Sequence, residues 1–354
     1  MKEQQTEKHS RVIWYDLLKI AAVCAVMILH IASYRKNITD IHTFLWAGKN
    51  FFNGFSRWGV GVFVMISGAL FLSRDIPLKK LYGKYILRIA LSFIFWSFLY
   101  SLVFNLIEKH SVKAFISGFI QGHNHLWFLY MIAGLYMIVP FLRKIVLNEK
   151  LTLYFLLLSF VFAFVIPETV TLLKIFSPEY SEVVQGIINR AHIHFVLGFS
   201  FYFVLGYYLS TANLSNKLET LLLVFGMLGL FITVFGNYAI SFFQNKSGEY
   251  IFGNNTVNVA LQVSGVFVLF KKLFGKASLS ERKEKIIVSL SKYSFGAYLV
   301  HYGIITVINK LFRFNADTFN PLLSVPLVFM IVCVSSFAVS AVLNHSPFVK
   351  KYLV

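Results

Sequence analysis

Residues 14–30 read WYDLLKIAAVCAVMILH. The run is apolar enough to cross a bilayer as one helix, yet Asp16, Lys19 and His30 interrupt it. Ionisable groups at membrane depth are costly, and where they persist they tend to mark function. Lys19 and His30 are 11 residues apart. That is roughly three turns, so both emerge on nearly one face with a rise of about 16 Å between them. Asp16 precedes Lys19 by one turn and joins that face. The spacing predicts an Asp16–Lys19 ion pair near one membrane surface and an imidazole near the other. A plainer reading is a snorkelling Lys–Asp pair and a hydrogen-bonded interhelical histidine.

The rest of the chain has the same character. Of its 354 residues 57% are hydrophobic, 18% aromatic and only 14% charged, with a mean hydropathy of +0.69. That excludes an ordinary soluble domain and points to an all-α integral membrane protein. Apolar runs of spanning length fall near 12–32, 54–73, 86–107, 126–145, 151–171, 191–211, 217–240, 254–273, 289–309 and 322–343. The expected fold is a bundle of about ten transmembrane helices, one polytopic unit over 1–354 with no soluble domain at either end. The first run carries Asp16 and Lys19 and has no small-residue cleavage site, so it is expected to remain as the first span. The eighth run carries Asn255, Asn258 and Gln262 on one face, which should turn inward. Pro140 should bend the end of the fourth.

The net charge is +18. In a soluble chain that would suggest nucleic acid. Here the basic residues sit in short connections, where topology and anionic lipid account for them, and no nucleic-acid partner is expected. Lys and Arg divide 21 to 11 between the two sides. That bias predicts a multi-pass protein of the cell membrane with both termini and Lys271–Lys292 cytoplasmic. His42, His110, His123, His125, His192 and His194 then fall in or beside external connections. His301 lies within the ninth span, and His9 and His345 are cytoplasmic.

Several chemistries find no motif. His192 and His194 would diverge by about 200° on a helix. HEXXH is absent and no Cys/His spacing fits zinc, so no metal is expected, although His123 and His125 could pair in a loop. GxSxG is absent. Ser67 lies in GVGVFVMISGALFL, whose glycines allow close helix approach, with a polar contact to a ligand as the other reading. Cys24 and Cys333 read as small packing residues. Lys79 and Lys80 suit lipid headgroups. Arg88, just inside the third run with Lys84 at i−4, makes a cationic face that with Lys19 could cradle phosphates. Trp127 and Tyr130, in HNHLWFLYMIAGLYMIVPFLRK, read as an interfacial aromatic belt.

Four segments, in order, resemble the acyltransferase 3 family of integral membrane O-acyltransferases. They are Asp16-x-x-Lys19 followed by His30, GVGVFVMISGALFL, HLWFLYMIAGLYMIVPFLR, and SLSKYSFGAYLVHYGII, which contains His301. The resemblance runs from about residue 12 to 345. The family usually has Arg at the position of Lys19, so the charge is kept and the fork geometry lost. Many members carry two arginines at the start of the third span. Arg88 matches the second, Tyr85 stands at the first, and Lys84 beside it is the candidate replacement.

The resemblance implies an acyl-CoA-dependent O-acyltransferase that modifies a cell-envelope or exported polysaccharide. The donor would be cytoplasmic acyl-CoA, most often acetyl-CoA, and the acceptor a glycan hydroxyl on or beyond the outer face, with no metal. Lys19, Lys84 and Arg88 would bind the CoA phosphates. His30, with Asp16 on the same helix, would form the catalytic set, His30 as general base. Ser67, Trp127 and His301 would serve the acceptor or support the site. The pantetheine arm could follow the first helix outward, its length being comparable to the Lys19–His30 rise. Some members carry an extracytoplasmic hydrolase-like domain, which this chain is expected to lack. The partners are acyl-CoA, the glycan and the bilayer, with a homo-oligomer or a glycan-assembly protein left open. The rival reading is a polytopic transporter of a small polar solute or glycan precursor. Many transporters show inverted repeats, and none is detectable here. Acceptor identity, and acetyl against succinyl, are not encoded in any motif.

Overall fold

Within lipid a backbone has no water to pair with, so its polar groups are satisfied by helices. In the computed structural model, which describes residues 11–108, 111–191 and 198–354, every regular element is helical. His9, His110, His192 and His194 lie outside the described residues. The helices are α1 (Ile13–Ala32), α2 (Phe44–Phe55), α3 (Trp58–Leu72), α4 (Leu78–Leu106), α5 (Val112–Gln121), α6 (Trp127–Met137), α7 (Val139–Val146) and α8 (Glu149–Phe176). They continue as α9 (Pro178–Ala191), α10 (Gly198–Thr211), α11 (Asn216–Phe243), α12 (Val257–Phe274), α13 (Glu281–Phe312), α14 (Pro321–Leu343) and α15 (Pro347–Tyr352).

Eight stretches among the described residues are long and apolar enough to cross a membrane, and the bent pair α6–α7 makes a ninth. Against the expected ten spans, the described residues show eight or nine. The run expected over 191–211 lies partly outside the described residues. Its described helix, α10, has 14 residues, short of the roughly 20 a crossing needs. The axes of α6 and α7 meet at 58°. Pro140 sits in the first turn of α7, where its missing N–H costs nothing.

The face of α1 that carries the ionisable residues is one side of a helix packed on all others. Leu18, Ala22, Val23 and Met27 are buried against α3, α13 and α14. Cys24 and Cys333 are free thiols, their sulfurs 4.0 Å apart where α1 meets α14. On its other side α3 meets α10 closely enough that a Cβ on Gly68 would collide with the carbonyl of Phe203, and one on Gly206 with that of Met65. The glycine beside Ser67 therefore serves helix approach. The polar stripe of α12 does turn inward. Asn258 Nδ2 donates to Thr233 Oγ1 at 2.8 Å and to the Ile251 carbonyl at 2.9 Å, and Gln262 Nε2 to the Phe55 carbonyl at 3.0 Å. Asn255 lies just ahead of the helix, in the connection.

Candidate active site

Two cavities open along α1. The first encloses about 540 Å³ and is lined by Lys19, Arg11, Arg88, Lys292 and Lys350, with no carboxylate among its lining residues. Phe63, Ile66, Phe71, Phe128, Ile132 and Tyr298 supply apolar wall. Five cations above an apolar slot suit a polyanion with an uncharged extension.

Asp16 does not pair with Lys19. Its carboxylate accepts from Arg11 Nε at 2.6 Å, Arg11 Nη2 at 2.9 Å and Ser291 Oγ at 2.5 Å. A helical side chain leans toward its own N-terminus. That lean carries Asp16 to Arg11, just ahead of α1, and away from Lys19. The expected ion pair is corrected accordingly. Lys19 makes no hydrogen bond or ion pair among the described residues and lines the cavity. Asp16 and His30 are 14 residues apart on α1, about 21 Å of rise, so the structure does not bring them together.

Arg88 lines the same cavity, its guanidinium 5.6 Å from the Phe295 ring, and donates through Nη2 to the main-chain oxygen of Val354. Neighbouring residues of α4 hold the same segment. Ser92 Oγ donates to the Tyr352 carbonyl and Trp96 Nε1 to the Leu353 carbonyl, both at 3.0 Å. Tyr85 lines the cavity, whereas Lys84 is exposed, lies outside the lining and has its Nζ 5.7 Å from the Tyr85 ring. Both belong to a π-helical segment, Leu81–Ile86, a local widening often found at functional sites. Ser67 lines the cavity near the hydroxyl of Tyr136. Arg11, Lys292 and Lys350 were not singled out from sequence. They come from three distant parts of the chain, and only the basic character of Lys271–Lys292 pointed to one of them.

The second cavity encloses about 690 Å³, and His30, His123, Arg57, Glu249, Trp127 and Tyr302 line it with several Asn side chains. Its lining shares no residue with that of the first. Arg57 is held from four directions. It donates to Asn53 Oδ1 at 2.7 Å and the Phe252 carbonyl at 2.8 Å, pairs with Glu249 at 2.7 Å, and rests over the Phe252 ring. Trp127, read as belt, forms cavity wall beside Phe199.

His30 stands in a cluster of rings. Its ring centre is 5.3 Å from that of His301 and 5.5 Å from that of Tyr302. His125 lies 5.2 Å from His301 and stacks on Tyr302 at 5.4 Å. His123 Nδ1 and His125 Nδ1 are 3.3 Å apart, and His125 Nε2 is 3.2 Å from the Leu299 carbonyl. Burial pushes His123 down to about 4 and, with the neighbouring imidazoles, holds His125 well below the usual range. Both are neutral near pH 7. Among the described residues no group of His, Cys, Asp and Glu is arranged to hold a metal ion. Tyr298 belongs to both neighbourhoods. It lines the Lys19 cavity with Phe63 and Phe128, touches the rings of His125 and His301, and donates its hydroxyl to the His125 carbonyl.

Residues 12–345 match a family model described as an acyltransferase domain. No curated protein and no solved structure matches the chain.

Proposed function

Because the chain belongs to the acyltransferase 3 family and is a multi-pass membrane protein, we propose that it moves an acyl group, acetyl in the first instance, from acyl-CoA to a hydroxyl of a cell-envelope or exported glycan. One observation carries this reading. Lys19 and His30, on one face of α1, line two separate cavities, one cationic and one rich in imidazole, amide and aromatic groups. CoA phosphates suit Lys19, Arg88 and Lys292. A pantetheine arm spanning about 16 Å of helix rise brings the thioester to His30. Trp127 and Tyr302 offer ring faces to a sugar, and the Asn side chains offer hydrogen bonds.

The reaction then needs one base. His30 takes the proton from the acceptor hydroxyl as its oxygen bonds to the thioester carbonyl carbon. The carbon–sulfur bond breaks, and the proton passes from His30 to the departing CoA sulfur. Placed in a cell membrane with both termini cytoplasmic, as the 21 to 11 basic bias favours, the Lys19 end faces the cytoplasmic donor and the His30 end the exported acceptor. Residues 1–354 then work as one unit.

The test is purified protein in liposomes with labelled acetyl-CoA and a panel of envelope glycans. The expected result is label in a base-labile ester on one of them. Solute flux without acyl-CoA, and no ester, would favour the transporter instead. Family membership already speaks for transfer over transport.

A further inference from the structure

Bonding rules locate the protons of the histidine cluster. A main-chain carbonyl only accepts, so a ring nitrogen that faces one carries the hydrogen. His125 Nε2 faces the Leu299 carbonyl at 3.2 Å, which leaves His125 Nδ1 a lone pair to accept from His123 Nδ1 at 3.3 Å. His301 Nδ1 likewise donates to the Tyr298 carbonyl. Its Nε2 is therefore a bare acceptor. That nitrogen is buried and has no hydrogen-bond partner among the described residues. An unpaired acceptor in so dry a place is costly and asks for a partner.

Elimination points to one. Both nitrogens of His125 are engaged. The Tyr298 hydroxyl goes to the His125 carbonyl, and that of Tyr302 to Asn124. His30 is left, its ring centre 5.3 Å from that of His301. Two imidazoles joined by an N–H···N bond of about 3 Å have centres roughly 5 Å apart, since each centre lies about an ångström behind its nitrogen.

We propose that His301 is the positioning residue of His30. A turn of the His30 ring, already centred 5.3 Å from that of His301, brings its N–H to this free Nε2 and keeps the other nitrogen of His30 bare toward the acceptor cavity. The proposal rests on the reading of His30 as general base. When His30 takes the hydroxyl proton, its bond to His301 becomes charge-assisted and strengthens. The gain appears as charge develops, so it is read in kcat and not in substrate binding. A carboxylate takes this place in hydrolase triads. Here the groups around His30 are His301 and Tyr302 from α13, His123 and His125 from the connection before α6, and Arg57 from the start of α3. The one carboxylate that lines the same cavity, Glu249, is taken up by Arg57 at 2.7 Å, so the acceptor on His30 is a neutral ring.

The experiment compares His301→Leu, which has no acceptor, with His301→Gln, whose Oε1 can replace Nε2, and runs His30→Ala beside them. Acetyl-CoA and an accepted glycan are the substrates. His301→Leu should lower kcat about 10- to 100-fold with KM for both substrates within about two-fold, and His301→Gln should restore kcat to within about three-fold. Wild-type turnover in His301→Leu, or equal losses in Leu and Gln, overturns the proposal. If His301→Leu does not insert, His301→Asn takes its place, because its acceptor sits at the level of Nδ1. Asn slow with Gln fast supports the proposal, and equal rates overturn it. An active His30→Ala overturns the base reading itself. An inactive His30→Ala beside a fully active His301→Leu overturns only the role of His301.

Discussion

Lys19→Ala removes one of five cations around the 540 Å³ cavity. The change leaves no carboxylate stranded, because Asp16 keeps Arg11 and Ser291. Folding and insertion should therefore survive. An ammonium about 4 Å from a phosphate charge gains about 4 kcal/mol at an effective dielectric of about 20. Desolvation takes back part of that, and four other cations remain to share the anion. The net value of a charge-assisted hydrogen bond is about 1.5–3 kcal/mol. At about 1.4 kcal/mol per decade, the Kd for acetyl-CoA should rise roughly 10- to 100-fold. The assay is calorimetric titration of CoA into detergent-solubilised protein at two ionic strengths. The wild type should lose more affinity with salt than the variant, which has one fewer charge to screen. Lys19→Arg should bind within about three-fold of the wild type, since its charge is kept and its fork suits phosphate. Turnover at saturating donor should hardly change in either variant, the sign of lost uniform binding. An alanine variant with unchanged Kd would refute the phosphate role of Lys19.

His30→Gln should lose about 10²–10⁴ in kcat with CoA affinity intact, whereas wild-type turnover would make it a structural histidine. Cysteine labelling from the two sides should place both termini and Lys271–Lys292 in the cytoplasm, and a terminus labelled only from outside would reject the orientation. Burial holds His123 down to about 4, below the roughly 6.5 of an unfolded chain. The unfolded chain binds more protons between those values, so stability is full above about 6.5 and falls as pH drops toward 4. The thermal midpoint should follow, with a smaller fall in His123→Asn. An equal fall would assign the effect to other groups.

The membrane class, the inward stripe of α12 and the bend near Pro140 were legible because each follows from local pattern. Apolar length makes a span, polar spacing makes a face, and a ring without an N–H breaks a ladder. The single α1 face bearing Lys19 and His30 was legible for the same reason. Partners across the bundle were not. Asp16 chose Arg11 over Lys19 because side-chain lean, which spacing alone does not express, decides between two near neighbours. Lys292 and Lys350 come to the Lys19 cavity only through the packing of α13 and the docking of α15 and the residues after it. His125 and His301 meet His30 from residues 95 and 271 positions further along the chain, and no periodicity announces that.

Phe63, Phe128 and Tyr298, with ring centres 5.6 to 6.5 Å apart, wall the first cavity on the side where Tyr298 meets the histidine cluster, and the two cavities have no lining residue in common. A membrane that stores energy as an ion gradient cannot tolerate a wet hole, however useful the chemistry at its two ends. On the proposed reading, the aromatic cluster would let the protein behave as an electrical insulator while a group is handed through it. A slender thioester-bearing chain could part such rings and fill the gap it makes, whereas a file of water molecules would meet mostly ring faces there. Shrinking Phe63 or Phe128 to alanine would then be felt first by the cell's proton gradient, before any loss of the ester product.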